Sequence, residues 1–446
     1  MVHFPTQYAV DMLSRLRHTI ALATLVVALP AVIPAASNAQ APTSGAKPAR
    51  ALAPAQPSVT KKKVGSTYYT LTLATHSALV PAPDRPRAGG AVATYGDGFL
   101  LVTAAGEFYR LSWEAGAGTL KSERLPLVVP FNRKDLLAAV TDRDATNPFR
   151  ITGLLVEERD GNAVIYVSHH HWDKAAQCVS LRVSKTMLSS ATSGTAATWS
   201  TVFDSKPCLP LGKMWPKSGG GSDESGGRMA RHPEGLLLTV GDHGFDGIED
   251  APRFSQDPDT SYGKILLIDD AGTAVPFSLG HRNPQGLTIA SDGRIWESEH
   301  GPEGGDEINV IVKGANYGWP LVTYGTEYRS DVWPLSPTSR NHGKFHEPAV
   351  AFVPSIGPSA IVQLRSNYLP HWSGDLLLAT LRAGLLYRVR TSGDAVVYTE
   401  AINVDMRMRD IAEGRDGRIL IWGDDGQVYS LTLDAPTHGS ADSSRQ

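Results

Sequence analysis

The stretch Asp416-Gly417-Arg418-Ile419-Leu420-Ile421-Trp422, followed after Gly423-Asp424-Asp425-Gly426 by Gln427-Val428-Tyr429-Ser430-Leu431-Thr432-Leu433, reads as two strands and a tight connection. A turn ending in glycine opens a short run of strand-forming residues, and a second turn starts a companion strand. The same design recurs. Asp97-Gly98 precedes an apolar run at 99–103, Asp160-Gly161 one at 162–168, Glu234-Gly235 one at 236–240, Asp292-Gly293 one at 294–298 and Ser373-Gly374 one at 375–380. Companion strands stand at 107–113 and 385–390. Successive glycines lie 63, 74, 58, 81 and 43 residues apart. About 60 residues suits one four-stranded blade with its loops, so six copies predict an all-β, six-bladed β-propeller. A pair of packed sheets is the competing architecture, because hairpins alone do not define how sheets are arranged.

The repeat also predicts where chemistry sits. Segments leaving equivalent strands lie at one end of a propeller and converge on its axis. Here they are 104–105, 169–171, 241–243, 299–302, 381–382 and 423–425, and ionisable residues concentrate in them. Loops at a propeller mouth are an expected place for a ligand pocket.

The 446 residues are 41% hydrophobic and 20% charged, with 43 glycines, 30 prolines and two cysteines. Two cysteines exclude a four-cysteine zinc site or a disulfide-dense scaffold. Residues 1–65 carry seven Lys/Arg against Asp11 alone, leaving 35 basic and 44 acidic residues in 66–446. A body with a net charge of −9 and no long basic run is a poor nucleic-acid binder. Arg15, Arg17 and His18 precede an apolar stretch at 20–36 that Pro30 and Pro34 interrupt, and Ser37-Asn38-Ala39 follow. Residues 1–39 thus read as an export signal, with a retained membrane anchor as the alternative. No other run is long enough to span a bilayer, so the mature chain is expected to have no integral membrane span and to be periplasmic or secreted. Residues 40–65, rich in Ala, Pro, Ser and Lys, read as a flexible tether, 66–434 as the propeller, and 435–446 as a disordered tail. Export permits a Cys178–Cys208 disulfide; two buried free thiols are the alternative.

The most specific stretch runs from Gly280 to Gly325. It holds Gly-His-Arg-Asn-Pro-Gln-Gly at 280–286, Glu-His-Gly-Pro-Glu-Gly-Gly-Asp-Glu at 299–307 and Gly-Ala-Asn-Tyr-Gly-Trp-Pro at 314–320. In this the chain resembles the soluble quinoprotein sugar dehydrogenases, the glucose/sorbosone and aldose sugar dehydrogenase family, six-bladed propellers that use pyrroloquinoline quinone with calcium. Weaker likeness continues at 353–359 and 407–410, and 66–220 match only loosely.

The resemblance implies that Arg282 and Asn283 hold the quinone while Arg407 and Arg409 meet its carboxylates, with Arg382 standing where the family has a lysine. Guanidinium groups suit this task because they offer planar, permanently charged, bidentate contacts. It implies a calcium on the carbonyls of Gly301 and Pro302, acting as a Lewis acid, and a second calcium from Glu307, the Tyr317 carbonyl and Glu327. The acidic run at 303–307 reads alternatively as a solvated loop, and the exposed arginines as surface ion pairs.

One family feature is missing. The family's base is a histidine four residues before the arginine of a Gly-Gly-Arg motif, oriented by an aspartate one strand later. Gly226-Gly227-Arg228 and Asp242 are present, but the base position holds Glu224. Either Glu224 is the base, or His243 has taken over, or the site binds without oxidising. The leading expectation is an exported oxidoreductase that oxidises the anomeric carbon of an aldose sugar substrate and passes electrons to an external electron acceptor. The alternatives are a non-catalytic, calcium-stabilised propeller that binds carbohydrate or a partner, and a metal-dependent lactonase. The His169–His171 run is a further candidate for metal capture.

Overall fold

The apolar runs that follow each glycine turn become strands covered on both faces. The computed structural model describes residues 56–433, apart from 86–88, 116–117, 141–147, 160–161, 190–196, 211–223, 249–251, 329 and 337–341. Its strands form six antiparallel sheets, five of them made of neighbours in sequence and the sixth joining the two ends of the described chain. Blade 1 comprises Ala91–Tyr95, Gly98–Val102, Glu107–Trp113 and Leu120–Val128; blade 2 comprises Ile151–Arg159, Asn162–Asp173, Cys178–Ser189 and Ser200–Asp204. Blade 3 comprises Gly226–His232, Gly235–Val240, Lys264–Ile268 and Ala274–Leu279; blade 4 comprises Pro284–Ile289, Ile295–Glu299, Asp306–Val310 and Val350–Phe352. Blade 5 comprises Pro358–Gln363, Leu376–Thr380, Leu385–Ser392 and Ala395–Asn403. Blade 6 takes Met408–Glu413, Ile419–Gly423 and Val428–Leu433 from one end of the chain, then Thr70–Ser77 and Ser58–Gly65 from the other.

The first strand of each blade touches that of the next, and blade 6 returns to blade 1, so the ring closes. Closure is a hydrogen-bonded ladder, Leu71 opposite Leu433 through His76 opposite Val428. Six apolar clusters fill the six gaps between blades. Ile419 and Ile421 pack with Leu377 and Ala379 of blade 5, whereas Leu420 and Trp422 pack with Phe99 and Leu101 of blade 1. A strand with a neighbouring sheet on each side has no solvated face, so it reads as a continuous apolar run instead of an alternating one. Two stacked sheets would leave an outer face of each in water, and that alternative is excluded.

The tether expectation fails in its last part. Ser58–Gly65 is the outer strand of blade 6, paired with Thr70–Ser77 from Ser58 opposite Ser77 to Gly65 opposite Thr70. Within it only Val64 is buried, so no apolar period marked the strand. Lys61, Lys62 and Lys63 are exposed, as is common on an edge strand, where lysines discourage pairing with another chain. The proposed signal (1–39), most of the tether and the tail (435–446) lie outside the described residues.

Cys178 and Cys208 are bridged, with Cα atoms 5.7 Å apart. The bridge pins Leu209–Pro210 against the start of Cys178–Ser189 in blade 2. His169, His170 and His171 lie within the strand Asn162–Asp173, not on a loop. His169 and His170 are fully buried, and His169 is held by the Ser184 hydroxyl and the His170 carbonyl, 3.0 and 2.9 Å away. Burial drops the His169 pKa to about 4. The run is a structural feature of blade 2. Among the described residues no helix is long and apolar enough to cross a membrane.

Candidate active site

All four expected arginines reach one cavity from the ends of strands or the turns beside them. Arg282 and Asn283 stand in the turn from blade 3 to blade 4, Gly301 and Pro302 follow the strand Ile295–Glu299, Arg382 follows Leu376–Thr380, and Arg407 and Arg409 flank the start of Met408–Glu413. All line a cavity of about 290 Å³, together with Arg150, Glu224, Gln285, His300 and Tyr328. Its described walls thus carry five arginines and one carboxylate, Glu224. Such a site draws anions. Arg228, the remaining arginine of the motifs, lies beneath it: Nη1 pairs with Asp410 at 2.7 Å, while Nε and Nη2 donate to the carbonyls of Gln285, Ser359 and Arg409. It cross-links the inner strands of blades 3 to 6 and serves as the floor.

The arginines are held by few acids. Asp424 accepts Arg409 Nη2 at 2.6 Å and Arg407 Nε at 2.9 Å. Burial alone would raise the Asp424 pKa, but Arg409 and then Arg407 outweigh it and hold the carboxyl below its usual range. Arg382 meets Glu303 at 3.3 Å, both side chains about half exposed, a pairing that contributes little. Arg282 is buried; it pairs with Glu224, donates Nη1 to the Gly301 carbonyl at 2.9 Å, and lies over the Trp319 ring. Its Nε is buried without a partner.

The acidic run at 303–307 is not a solvated loop throughout. Asp306 is fully buried, and its Oδ2 accepts the Ser355 hydroxyl and the Ile356 and Gly357 amides within 2.7 Å, while Oδ1 accepts the Gly301 amide at 3.0 Å. One carboxylate therefore shapes both turns that border the cavity. A side chain at Gly301 would strike the carbonyls of Gly304 and Gly305, 2.3 and 2.4 Å from its Cβ.

Glu224 and Asp242 are both buried and hydrogen-bonded to each other. Asp242 is fixed by the Trp319 indole N–H at 2.6 Å and the Gly244 amide at 2.9 Å. Burial, and next to it the Asp242 charge, raises Glu224 well above the carboxylate range despite Arg282. Of the two, Glu224 is the partner at the cavity wall. His243 sits behind them, edge-on to His170 and Tyr262, and does not line the cavity. Burial lowers its pKa to about 3, which makes it a poor proton acceptor.

Glu307 and Tyr317 line a small void of about 10 Å³ shared with Glu299 and His300, behind Gly301. Glu327 is not among its walls; its carboxylate accepts the Tyr328 amide at 2.9 Å. Arg150, Gln285 and Tyr328 were not anticipated. Arg150 sits just ahead of the first strand of blade 2 with no motif around it, and its burial is the only sign that it belongs to the site.

Residues 151–430 match the family model described as Glucose / Sorbosone dehydrogenase. The chain is 29% identical over 251 residues to aldose sugar dehydrogenase YliI of Escherichia coli, covering 52% of this chain and 63% of that one. It is 25% identical over 307 residues to quinoprotein glucose dehydrogenase B of Acinetobacter calcoaceticus, covering 48% and 63%. The matches span about three fifths of the length of the curated relatives. The crystal structure of the soluble aldose sugar dehydrogenase from Escherichia coli in its apo-form superposes with a TM-score of 0.62 at 23% identity, over 78% of this chain and 98% of that one. At that identity the likeness is one of fold.

Proposed function

Because the chain belongs to the glucose/sorbosone dehydrogenase family, we propose that it is an exported quinoprotein that oxidises the anomeric carbon of aldose sugars. The observation that carries this reading is the arginine-lined cavity with Glu224 as the one carboxylate among its described walls. Its residues suit a planar, tricarboxylate quinone: Arg407 and Arg382 are partly exposed at the cavity, and Arg282 brings a buried Nε that lacks a partner. Arg282, Asn283, Arg382, Arg407 and Arg409 would hold pyrroloquinoline quinone, which when bound supplies the acceptor for the hydride leaving the sugar. Gly301 and Pro302 would hold calcium, a Lewis acid beside that acceptor. The Gly301 carbonyl is engaged by Arg282, so a cation there takes the place of that contact. Glu307 and Tyr317 suit a second calcium through the small void they share, whereas Glu327 does not join them.

Glu224 in its ionised form takes the hydroxyl proton of the sugar onto a carboxylate oxygen as the hydride departs. Asp242, held by Trp319 and Gly244, keeps that carboxylate in place. A base raised toward neutrality by burial is well matched to this task. The electrons leave to an external acceptor, and the site of action is periplasmic or extracellular. The ion pair between Glu224 and Arg282 favours a second reading, a propeller that binds quinone or sugar without oxidising it. Adding quinone and calcium to the purified chain, then following quinone binding and aldose-dependent dye reduction together, separates the two. Binding with reduction supports the oxidoreductase; binding without reduction of any acceptor by any aldose supports the second reading.

A further inference from the structure

Behind the arginine cavity, blade 4 buries an opposite charge. In its antiparallel strands Ile295–Glu299 and Asp306–Val310, Glu297 stands opposite Asn309 and Glu299 opposite Glu307. Residues two apart on a strand share a face, so three carboxylates and an amide converge. All four are less than a tenth exposed, and Glu297 and Asn309 are fully buried. The Asn309 amide nitrogen faces all three acids, at 3.1 Å from Glu297, 3.3 Å from Glu299 and 3.3 Å from Glu307. Two N–H groups cannot serve three carboxylates. Among the described residues the basic groups within ion-pair reach of these acids are His281, 2.9 Å from Glu299, and His342, 3.8 Å from Glu307. One oxygen of Glu297 and the Asn309 carbonyl oxygen are enclosed with no hydrogen-bond partner.

We propose that Glu297, Glu299 and His281 form a site for one divalent cation of the Mn²⁺ or Zn²⁺ class. Donor atoms from His281, Glu297 and Glu299 all lie within 4.8 Å of one another. Ligands about 2.0–2.4 Å from a metal span that separation. The enclosed Glu297 oxygen gains the partner it lacks. An imidazole among oxygen donors suits a first-row transition ion better than calcium, which prefers oxygen alone. His281 has the outer support typical of a metal-bound imidazole: its Nε2 lies 2.8 Å from the Ser278 hydroxyl, leaving Nδ1 directed at the acids. The ligands are separate from Gly301 and Pro302 and from the Glu307, Tyr317 and Glu327 set. The site also touches the cavity, because Glu299 Oε2 accepts the backbone N–H of Arg282 at 2.7 Å. Charge neutralisation by protons is the rival account of the same cluster, since burial, then Glu299, raises Glu297 well above the carboxylate range.

The test uses the full-length chain, stripped with chelator and titrated with Mn²⁺ in excess Ca²⁺ while the free Mn²⁺ resonance is followed. The proposal expects one Mn²⁺ withheld per chain in the wild type, lost in Glu297→Gln and kept in Glu327→Gln. A wild type that withholds no Mn²⁺ under these conditions overturns it, as does a folded Glu297→Gln that still withholds one. Should Glu297→Gln fail to fold, the wild type alone decides: Mn²⁺ or Zn²⁺ must raise its melting temperature in excess Ca²⁺, and no shift overturns the site.

Discussion

The arginine cavity at the ring's mouth and the carboxylate nest of blade 4 stand back to back and differ in sign and in access. On one side, five arginines with few acids line an open cavity; on the other, three carboxylates crowd around one amide in the protein interior. The open arginines cost little while empty, because water solvates Arg382 and Arg407. The enclosed carboxylates have no such recourse, and burial without a counter-charge forces either protonation or a cation. Charge surplus at a solvated mouth therefore points to a ligand that comes and goes, and charge surplus in a sealed nest to a resident one. Glu299 and Arg282 form the seam between them.

The largest expected effect lies on the arginine side. Glu224→Gln keeps the size of the side chain and removes the base, so aldose-dependent dye reduction should fall on the order of 10²–10⁴-fold while quinone affinity stays within a few-fold. A fully active Glu224→Gln would move the base elsewhere. The pH profile carries the same assignment. A base works ionised, and the Glu224–Asp242 pair titrates above the ordinary carboxylate range. Thus kcat/KM should rise with pH through that raised value, and Glu224→Gln should flatten the limb. An acid limb unchanged in the variant assigns it to another group.

Arg282→Ala comes next. Losing one charge-assisted contact should weaken quinone binding by about 1.5–3 kcal/mol, roughly 10- to 150-fold, read by fluorescence titration. The same change leaves Glu224 buried beside Asp242 without its cation, so the Glu224 pKa should climb further and activity at neutral pH should drop as well. Unaltered affinity would mean that the cavity holds its ligand through its other arginines.

The architecture and the arginine side were legible in the sequence because each is written in consecutive residues. Glycine turns and two-faced apolar strands repeat six times, and Arg282, Asn283, Gly301 and Pro302 fall in unbroken motifs. The carboxylate nest was not legible. Glu297 and Asn309 meet only through the register of two strands, and nothing in a linear reading tells that an acid at an alternating position points inward. Arg150 was missed for a related reason, since a lone arginine before a strand is ordinary on any surface. Ser58–Gly65 was read as tether because its lysines face water and one valine carries its burial. The missing histidine at position 224 was visible at once, but the hydrogen bond of Glu224 to Asp242 and the burial of His243 needed three dimensions.

The smallest effect is the one that joins the two regions. Glu299→Gln keeps an oxygen for the Arg282 amide but removes its charge, and a hydrogen bond to an ionised acceptor is about twice as strong as a neutral one. The turn carrying Arg282 should loosen by ~1 kcal/mol, which is about a five-fold loss of quinone affinity. Glu297→Gln leaves the Glu299 hydrogen bond to the Arg282 amide in place, so its quinone affinity should stay within about two-fold of the wild type even as bound Mn²⁺ is lost. Calorimetric titration of quinone into both variants, each with and without Mn²⁺, reads the difference. Equal weakening in both variants would show that the cation, rather than the Glu299 contact, holds the turn. No weakening in either would show that the nest and the cavity are independent despite their shared seam.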